Sequence, residues 1–289
     1  MVDCIIVGSG FAGISAALTL KNLGKSFLLL GSAELSGKIT AAEKIPNYPA
    51  VSYPTGKELN AALKHQLKEA EITVTEERAV GVYAMKGSFT VMTDGANNYE
   101  AKTVILATGV NAVKPVEGEE SFVGRGVSYC ATCDGFLYKG KTIAVVCTSE
   151  RFEHEIEYLA SLAGKIYLLP LYKGKKPEKE NIETILAAPE AIEGGLRVKS
   201  MRLKNGRTLE VDGVFMLKES VSPAVLVGGL ETENGHVKIT RNTETNIAGC
   251  FAAGDCTGRP YQYVKAAGEG NVAAHAVAEY LAKIQKELD

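Results

Sequence analysis

The chain has 289 residues, of which 46% are hydrophobic and 23% charged, close to the globular average, so it is neither a disordered chain nor a fibrous repeat. At about 150 residues per domain the length accommodates two domains. Lys and Arg number 32 against 34 Asp and Glu, a net charge of −2, which offers no basic field for nucleic acid and no acidic tail. No apolar run approaches the roughly 18 residues of a membrane helix. Met1 to Cys4 lead straight into an apolar strand with no basic leader segment, so a cytoplasmic location is expected.

The opening strand, Cys4-Ile5-Ile6-Val7, is followed by Gly8-Ser9-Gly10-Phe11-Ala12-Gly13 and by Ile14, Ala17, Leu18 and Leu20 at helical spacing. Leu23-Gly24 closes that helix, and a second strand runs from Ser26 to Leu30. A G-x-G-x-x-G set between strand and helix has a physical logic: Gly8 permits the tight turn, Gly10 lets backbone approach a pyrophosphate, and Gly13 allows close helix–strand packing. The helix N-terminus adds free N–H groups and positive potential. The acidic ribose-binding residue expected about 20 positions further on is missing, because the second strand ends in Gly31-Ser32 and Glu34 falls in a loop.

Residues 72–106 alternate in polarity and break at turns such as Asp94-Gly95, the pattern of β-hairpins. Val104 to Leu106 reads as a buried strand running into Ala107-Thr108-Gly109, and Lys114-Pro115 to Gly118 as a linker. Near the other end a short strand, Gly249 to Phe251, leads into Ala252-Ala253-Gly254-Asp255, and an amphipathic helix is expected from about Gly268 to Lys286.

The opening unit recurs 139 positions on. Ile5-Ile6-Val7 falls on Ala144-Val145-Val146 and Leu28-Leu29-Leu30 on Tyr167-Leu168-Leu169. In this copy the turn is Cys147-Thr148-Ser149-Glu150-Arg151-Phe152, with all three glycines replaced. Side chains there block close approach of a pyrophosphate and Glu150 repels it, leaving Arg151 as the nearby cation. Leu169 to Lys173 supplies no arginine pair for a 2′-phosphate.

Six cysteines are too few for a disulfide scaffold of this size. Cys4, Cys147, Cys250 and Cys256 are scattered and read as small packing residues, although Cys250 and Cys256 are near enough for a disulfide to be conceivable. Cys130-Ala131-Thr132-Cys133-Asp134-Gly135 is the most specific stretch. Two thiols two residues apart can close a small disulfide ring, a lowered pKa on one makes an attacking thiolate, and Asp134 stands where it can trade a proton with a departing thiolate. The alternatives are half of a zinc site, which usually needs four ligands, and two inert thiols. No second C-x-x-C exists, and His65, His154, His236 and His275 do not cluster in sequence. The basic run from Lys173 to Lys179 reads first as a solvated loop and second as a patch that steers an acidic partner.

With C-A-T-C-D between the opening G-x-G-x-x-G and the closing A-A-G-D, the whole chain resembles the low-molecular-weight thioredoxin reductases. Gly124 to Cys130, Leu137 to Lys141 and Pro260-Tyr261-Gln262-Tyr263, together with the missing nucleotide glycines, are most similar to the ferredoxin-dependent flavin thioredoxin reductases. The resemblance implies an α/β fold of two Rossmann-like, three-layer (ββα) nucleotide-binding-type domains, the second inserted into the first. Residues 1–113 and 244–289 would form an FAD domain, and 114–243 a central redox domain with the C-x-x-C and a degenerate NADPH-type fold.

By the same resemblance, Gly8, Ser9, Gly10, Phe11, Ala12 and Gly13 hold the FAD pyrophosphate, and Gly31, Ser32, Lys38, Ile39 and Asn47 flank its ribose and ribityl region. Val80 meets adenine through its backbone, and Ala107, Thr108 and Gly109 line the opposite side. Gly254 and Asp255 approach the ribityl chain, and Gln262, Tyr263 and Val264 border the isoalloxazine. Cys130, Cys133 and Asp134 are catalytic: Cys133 faces the flavin and Cys130 attacks thioredoxin. Reduced ferredoxin is the implied donor, thioredoxin the acceptor and a homodimer the assembly. Two alternatives within the class are an NADPH-dependent reductase with an atypical nucleotide site and a two-flavin disulfide oxidoreductase. Because the disulfide must meet first the flavin and then thioredoxin, the resemblance also implies a rotation of the central domain on its two connections.

Overall fold

The computed structural model describes residues 1–51, 55–110, 116–218 and 221–288. The chain divides into two compact units, one of residues 1–93, 97–110 and 222–289 and one of residues 94–96 and 111–221. Among the described residues no helix is long and apolar enough to cross a membrane.

The first unit begins with β1 (Val2–Val7), α1 (Phe11–Asn22) and β2 (Phe27–Leu30), followed by α2 (Gly37–Thr40) and α3 (Gly56–Glu69). Thr55 and Glu58 cap α3 reciprocally: the Thr55 hydroxyl accepts the Glu58 N–H and the Glu58 carboxylate accepts the Thr55 N–H, a device worth about 1 kcal/mol. Then come β3 (Val74–Thr75), β4 (Ala79–Met85), β5 (Ser88–Thr93) and β6 (Asn98–Leu106). The parallel strands stand in the order β3-β2-β1-β6. β4, β5 and the first half of β6 form an antiparallel meander, as the alternating pattern over 72–106 predicts. Cys4 to Val7 and Val104 to Leu106 are buried, which is why these strands read as unbroken apolar runs.

In the second unit β7 (Val127–Ser128) and the single turn α4 (Ala131–Asp134) precede β8 (Thr142–Cys147), α5 (Glu153–Leu162), β9 (Lys165–Pro170) and β10 (Ile182–Thr184). β11 (Pro189–Gly194), β12 (Val198–Leu203) and β13 (Thr208–Glu210) form a small antiparallel sheet, and β14 (Gly213–Leu217) returns to the parallel one. The parallel order is β10-β9-β8-β14-β7. α5 lays Ile156 and Leu159 on a core with Ile143, Val145, Ile166, Leu168 and Phe215. The strand–helix–strand repeat is therefore real, with β8-α5-β9 repeating β1-α1-β2.

The chain then rejoins the first unit through α6 (Pro223–Leu226), β15 (Thr232–Glu233), β16 (His236–Val237), β17 (Cys250–Ala252) and α7 (Tyr263–Leu288). β17 pairs with the last half of β6, Cys250 opposite Val104.

Three features depart from the sequence reading. Residues 222–243 group with the first unit and not with the central stretch: Val227 bridges Val82 of β4, and Asn246 Nδ2 donates to the Gly229 carbonyl. Lys114 and Pro115 lie outside the described residues, but Glu117 and Gly118 are no free linker. Glu117 bridges Ala191, and Gly118 is held so close that a Cβ there would stand 2.2 Å from the Ile192 carbonyl oxygen. α7 begins at Tyr263, five residues earlier than the pattern suggests. Gly270, which the pattern already placed inside the helix, is a close approach to α1, where a Cβ would stand 2.1 Å from the Ala12 carbonyl oxygen.

Candidate functional site

Four strands of the first unit end on one cluster. The carboxyl ends of β1, β2, β6 and β17 deliver Gly8, Gly31, Ala107 and Gly254, the place where open α/β sheets bind ligands. Gly8 sits at φ +118° and a Cβ there would stand 2.3 Å from the Ala107 carbonyl oxygen, so only glycine can make the turn. At Gly13 a Cβ would stand 1.8 Å from the Gly8 carbonyl oxygen. Gly10 is the opposite case: it caps α1 with extended backbone, no side chain caps the helix, and a Cβ there would meet nothing within 4 Å. The first turn of α1 carries no acidic residue. A free helix N-terminus with open space in front of a glycine is what a pyrophosphate requires.

Ser9 and Ser32 clasp the rim: Ser9 Oγ donates to the Ser32 carbonyl and accepts the Ser32 N–H, both at 3.0 Å. Gly31 must be glycine for this clasp, because its Cβ would lie 2.4 Å from Ser9 Oγ. Lys38 Nζ donates to the Val110 carbonyl at 2.7 Å, just past Ala107-Thr108-Gly109, and Ile39 is buried beside it in α2. Asn47 Nδ2 donates to Gln262 Oε1 at 2.6 Å. The Tyr263 hydroxyl donates to the Lys38 carbonyl at 3.0 Å, and its ring lies 4.8 Å from Phe11. Most of the predicted cofactor residues thus come together. Val80 lies on β4, in the antiparallel meander, and Val264 is exposed on the first turn of α7.

Asp255 opens a short 3₁₀ turn after Gly254, whose φ is +87°. Burial pushes its carboxyl above the usual aspartate range, with the Lys38 and Lys265 charges pulling the other way and Glu269 adding to the rise. The turn is held by two residues that the motif reading missed. Lys265 Nζ donates to the Gly254 and Gly258 carbonyls and to Thr257 Oγ1, and the Glu269 carboxylate accepts from the Gly254 N–H and the Thr257 hydroxyl. Their i,i+4 spacing on a helix was the available signal.

In the second unit the corresponding turn is closed. Cys147 Sγ donates to the Ser149 carbonyl at 3.1 Å, and Glu150–Phe152 form a 3₁₀ turn with Phe152 buried. The Glu150 carboxylate fills the space over Gly174, where an added Cβ would stand 1.3 Å from Glu150 Oε1. Glu153 and Glu155 occupy the first turn of α5, so negative charge stands where the first copy has open N–H groups. Of the basic run, Lys176 is tied to its own loop through the Tyr172 and Gly174 carbonyls, while Lys173 and Lys175 are exposed.

Cys130 and Cys133 are joined as a disulfide, their Cα atoms 5.3 Å apart, on the turn from β7 into α4. Cys130 is buried and Cys133 half-buried. Asp134 follows, its Oδ2 accepting the Ser128 hydroxyl at 2.7 Å. Behind the turn lies a buried ion pair, with Lys218 Nζ 2.7 and 2.8 Å from the two Glu119 oxygens. The Tyr129 hydroxyl donates to the same carboxylate at 2.5 Å. Burial first, and the Glu119 charge second, hold that hydroxyl far above the usual tyrosine range, so it stays a donor. Cys4, Cys147, Cys250 and Cys256 are buried thiols outside any disulfide. Burial pushes the Cys4 and Cys250 thiols up to about 12 and that of Cys256 to about 11.

A dinucleotide cradle and a ring-closed cysteine pair within one chain define a nucleotide-cofactor disulfide oxidoreductase. The chain belongs to the pyridine nucleotide-disulphide oxidoreductase family, which it matches over residues 2–147 and 174–270. It is 32% identical to a thioredoxin reductase of Aquifex aeolicus, over 98% of this chain and 94% of that protein. It is 33% identical to that of Helicobacter pylori, over 97% and 99%. Among solved structures it is similar to a ferredoxin-flavin thioredoxin reductase from Clostridium acetobutylicum, with 45% identity, 98% of each chain covered and a TM-score of 0.88. The fold is accordingly the two-domain Rossmann-like α/β fold of thioredoxin reductases. FAD is the cofactor of these proteins and of this chain, and the open space at Gly10 with the uncapped α1 N-terminus fits it.

Proposed function

We propose that this chain is a cytoplasmic, homodimeric thioredoxin reductase that draws its electrons from reduced ferredoxin. The first unit holds FAD and the second carries the reactive disulfide. The observation that carries the choice of donor is the contrast between the two repeats: open space at Gly10 in one, a carboxylate packed over Gly174 in the other. The 45% identity to a ferredoxin-flavin thioredoxin reductase supports the same reading.

When bound, FAD supplies the two-electron store that a disulfide needs. The Gly8–Gly13 turn and the α1 N-terminus neutralise its pyrophosphate, Asp255 orients its ribityl chain, and Phe11 and Tyr263 wall the site. Once reduced, the Cys130 thiolate attacks the thioredoxin disulfide, and Cys133 resolves the mixed disulfide by attacking Cys130. Trapping tests the cysteine roles. A reduced Cys133→Ser variant is expected to hold thioredoxin as a stable adduct through Cys130. An adduct formed instead by Cys130→Ser through Cys133 would reverse the assignment. A purified flavin-to-protein ratio near one is expected, and near two would establish the two-flavin alternative.

A further inference from the structure

Ser128 is the last residue of β7, paired with Phe215 of β14 and 5% exposed. Its hydroxyl joins the two ends of the reactive turn. It accepts the Cys130 N–H at 3.1 Å and stands 2.7 Å from Asp134 Oδ2, with the Cys130 carbonyl farther off at 3.2 Å. A hydroxyl has one proton to give, and the nearer carboxylate oxygen is the better-placed acceptor. One oxygen atom thus ties the backbone of the first cysteine to the carboxylate that follows the second.

We propose that Ser128 is a positioning residue for the thiol exchange: it fixes the Asp134 carboxylate against the cysteine ring, so that the proton moves within a preset geometry. The proposal rests on the thioredoxin-reductase reading for its natural substrate, but not on the identity of the electron donor. In the reduced enzyme the Cys130 thiolate attacks one sulfur of the substrate disulfide, a new S–S bond forms and the substrate S–S bond breaks. Asp134 takes the proton of the Cys133 thiol and passes it to the departing substrate sulfur. The Cys133 thiolate then attacks Cys130 Sγ, which re-forms the ring and releases the second substrate thiolate to be protonated by solvent. Two electrons leave the cysteine pair and the substrate becomes a dithiol. Ser128 touches no reacting sulfur in this scheme and acts through Asp134.

The test is a double-mutant cycle on whole flavoprotein, reduced with dithiothreitol and desalted anaerobically. Reoxidation of the cysteine pair is followed by acid quench, alkylation and mass spectrometry. Oxidised thioredoxin is one substrate and bis(2-hydroxyethyl) disulfide, whose departing thiolate also needs a proton, is the other. Ser128→Ala is expected to slow reoxidation about tenfold and Asp134→Asn about a hundredfold, within the range of a positioned acid–base group. Ser128→Thr, which keeps the hydroxyl, is expected to recover most of the rate. Ser128→Ala added to Asp134→Asn is expected to cost nothing further, which a merely structural serine would not show. Ser128→Gly takes the place of the alanine variant should that not fold. An unchanged rate in Ser128→Ala, or the same tenfold loss on top of Asp134→Asn, would overturn the proposal. Were thioredoxin not the substrate, the wild type would fail with it, and the cycle on the small disulfide would still read the coupling.

Discussion

Asp255 carries a charge that the apoprotein disfavours. Burial raises its pKa above the ordinary aspartate value of 3.8, so the folded state holds the proton more tightly than the unfolded chain. That contribution is fully present below the ordinary value and is lost as pH rises through the folded pKa, leaving a buried charge that weakens the fold at neutral pH. Asp255→Asn apoprotein is therefore expected to melt higher than wild type at pH 7, with the difference shrinking toward pH 4, while its FAD affinity falls. A melting series against pH, with and without FAD, checks both. Lys218 presents the opposite case. Lys218→Met strands the Glu119 carboxylate in the core and is expected to cost about 3–5 kcal/mol by urea titration, with Glu119→Gln added to it restoring most of the loss. The cradle glycines and the C-x-x-C were legible because their spacing is local and each has a steric or covalent meaning. Lys218 was not, since its partner lies 99 residues away, and Ser128 was read only as part of a stretch, with nothing in its neighbours naming Asp134 as its acceptor.

The elements around the cradle separate a glycine needed by the fold from one needed by the ligand. Gly13→Ala drives a methyl into the Gly8 carbonyl and is expected to cost the apoprotein about 1–3 kcal/mol. Gly10→Ala points a methyl into open space; it should cost less than about 1 kcal/mol as a cap change yet weaken FAD at least about tenfold by obstructing the pyrophosphate. Denaturation of the two apoproteins and flavin titration of both read the difference. Helix and strand identities were visible wherever burial was continuous or strictly alternating, as in β1, β6 and the meander. The start of α7 was placed late because its first turns carry small residues, Gly270 among them, that serve close approach to α1 and give no amphipathic signal of their own. The return of residues 222–243 to the first unit was invisible because it rests on non-local contacts, among them the Val227 bridge to Val82 of β4 and the Asn246 Nδ2 bond to the Gly229 carbonyl.

For the molecule as a whole, the proposed function divides the labour between the two repeats: the first would keep a nucleotide cradle and the second would have filled its own. That division was legible from the loss of three glycines, and the packing of Glu150 over Gly174 gives it a physical form. The direct test is anaerobic. The oxidised flavoprotein is mixed with NADPH in one cuvette and with enzymatically reduced ferredoxin in another, and the visible flavin band is followed. The account predicts bleaching by ferredoxin and none by NADPH on the same timescale. Rapid bleaching by NADPH would contradict it, placing a nucleotide in the turn between β8 and α5 and making the chain a pyridine-nucleotide reductase with an unfamiliar pocket.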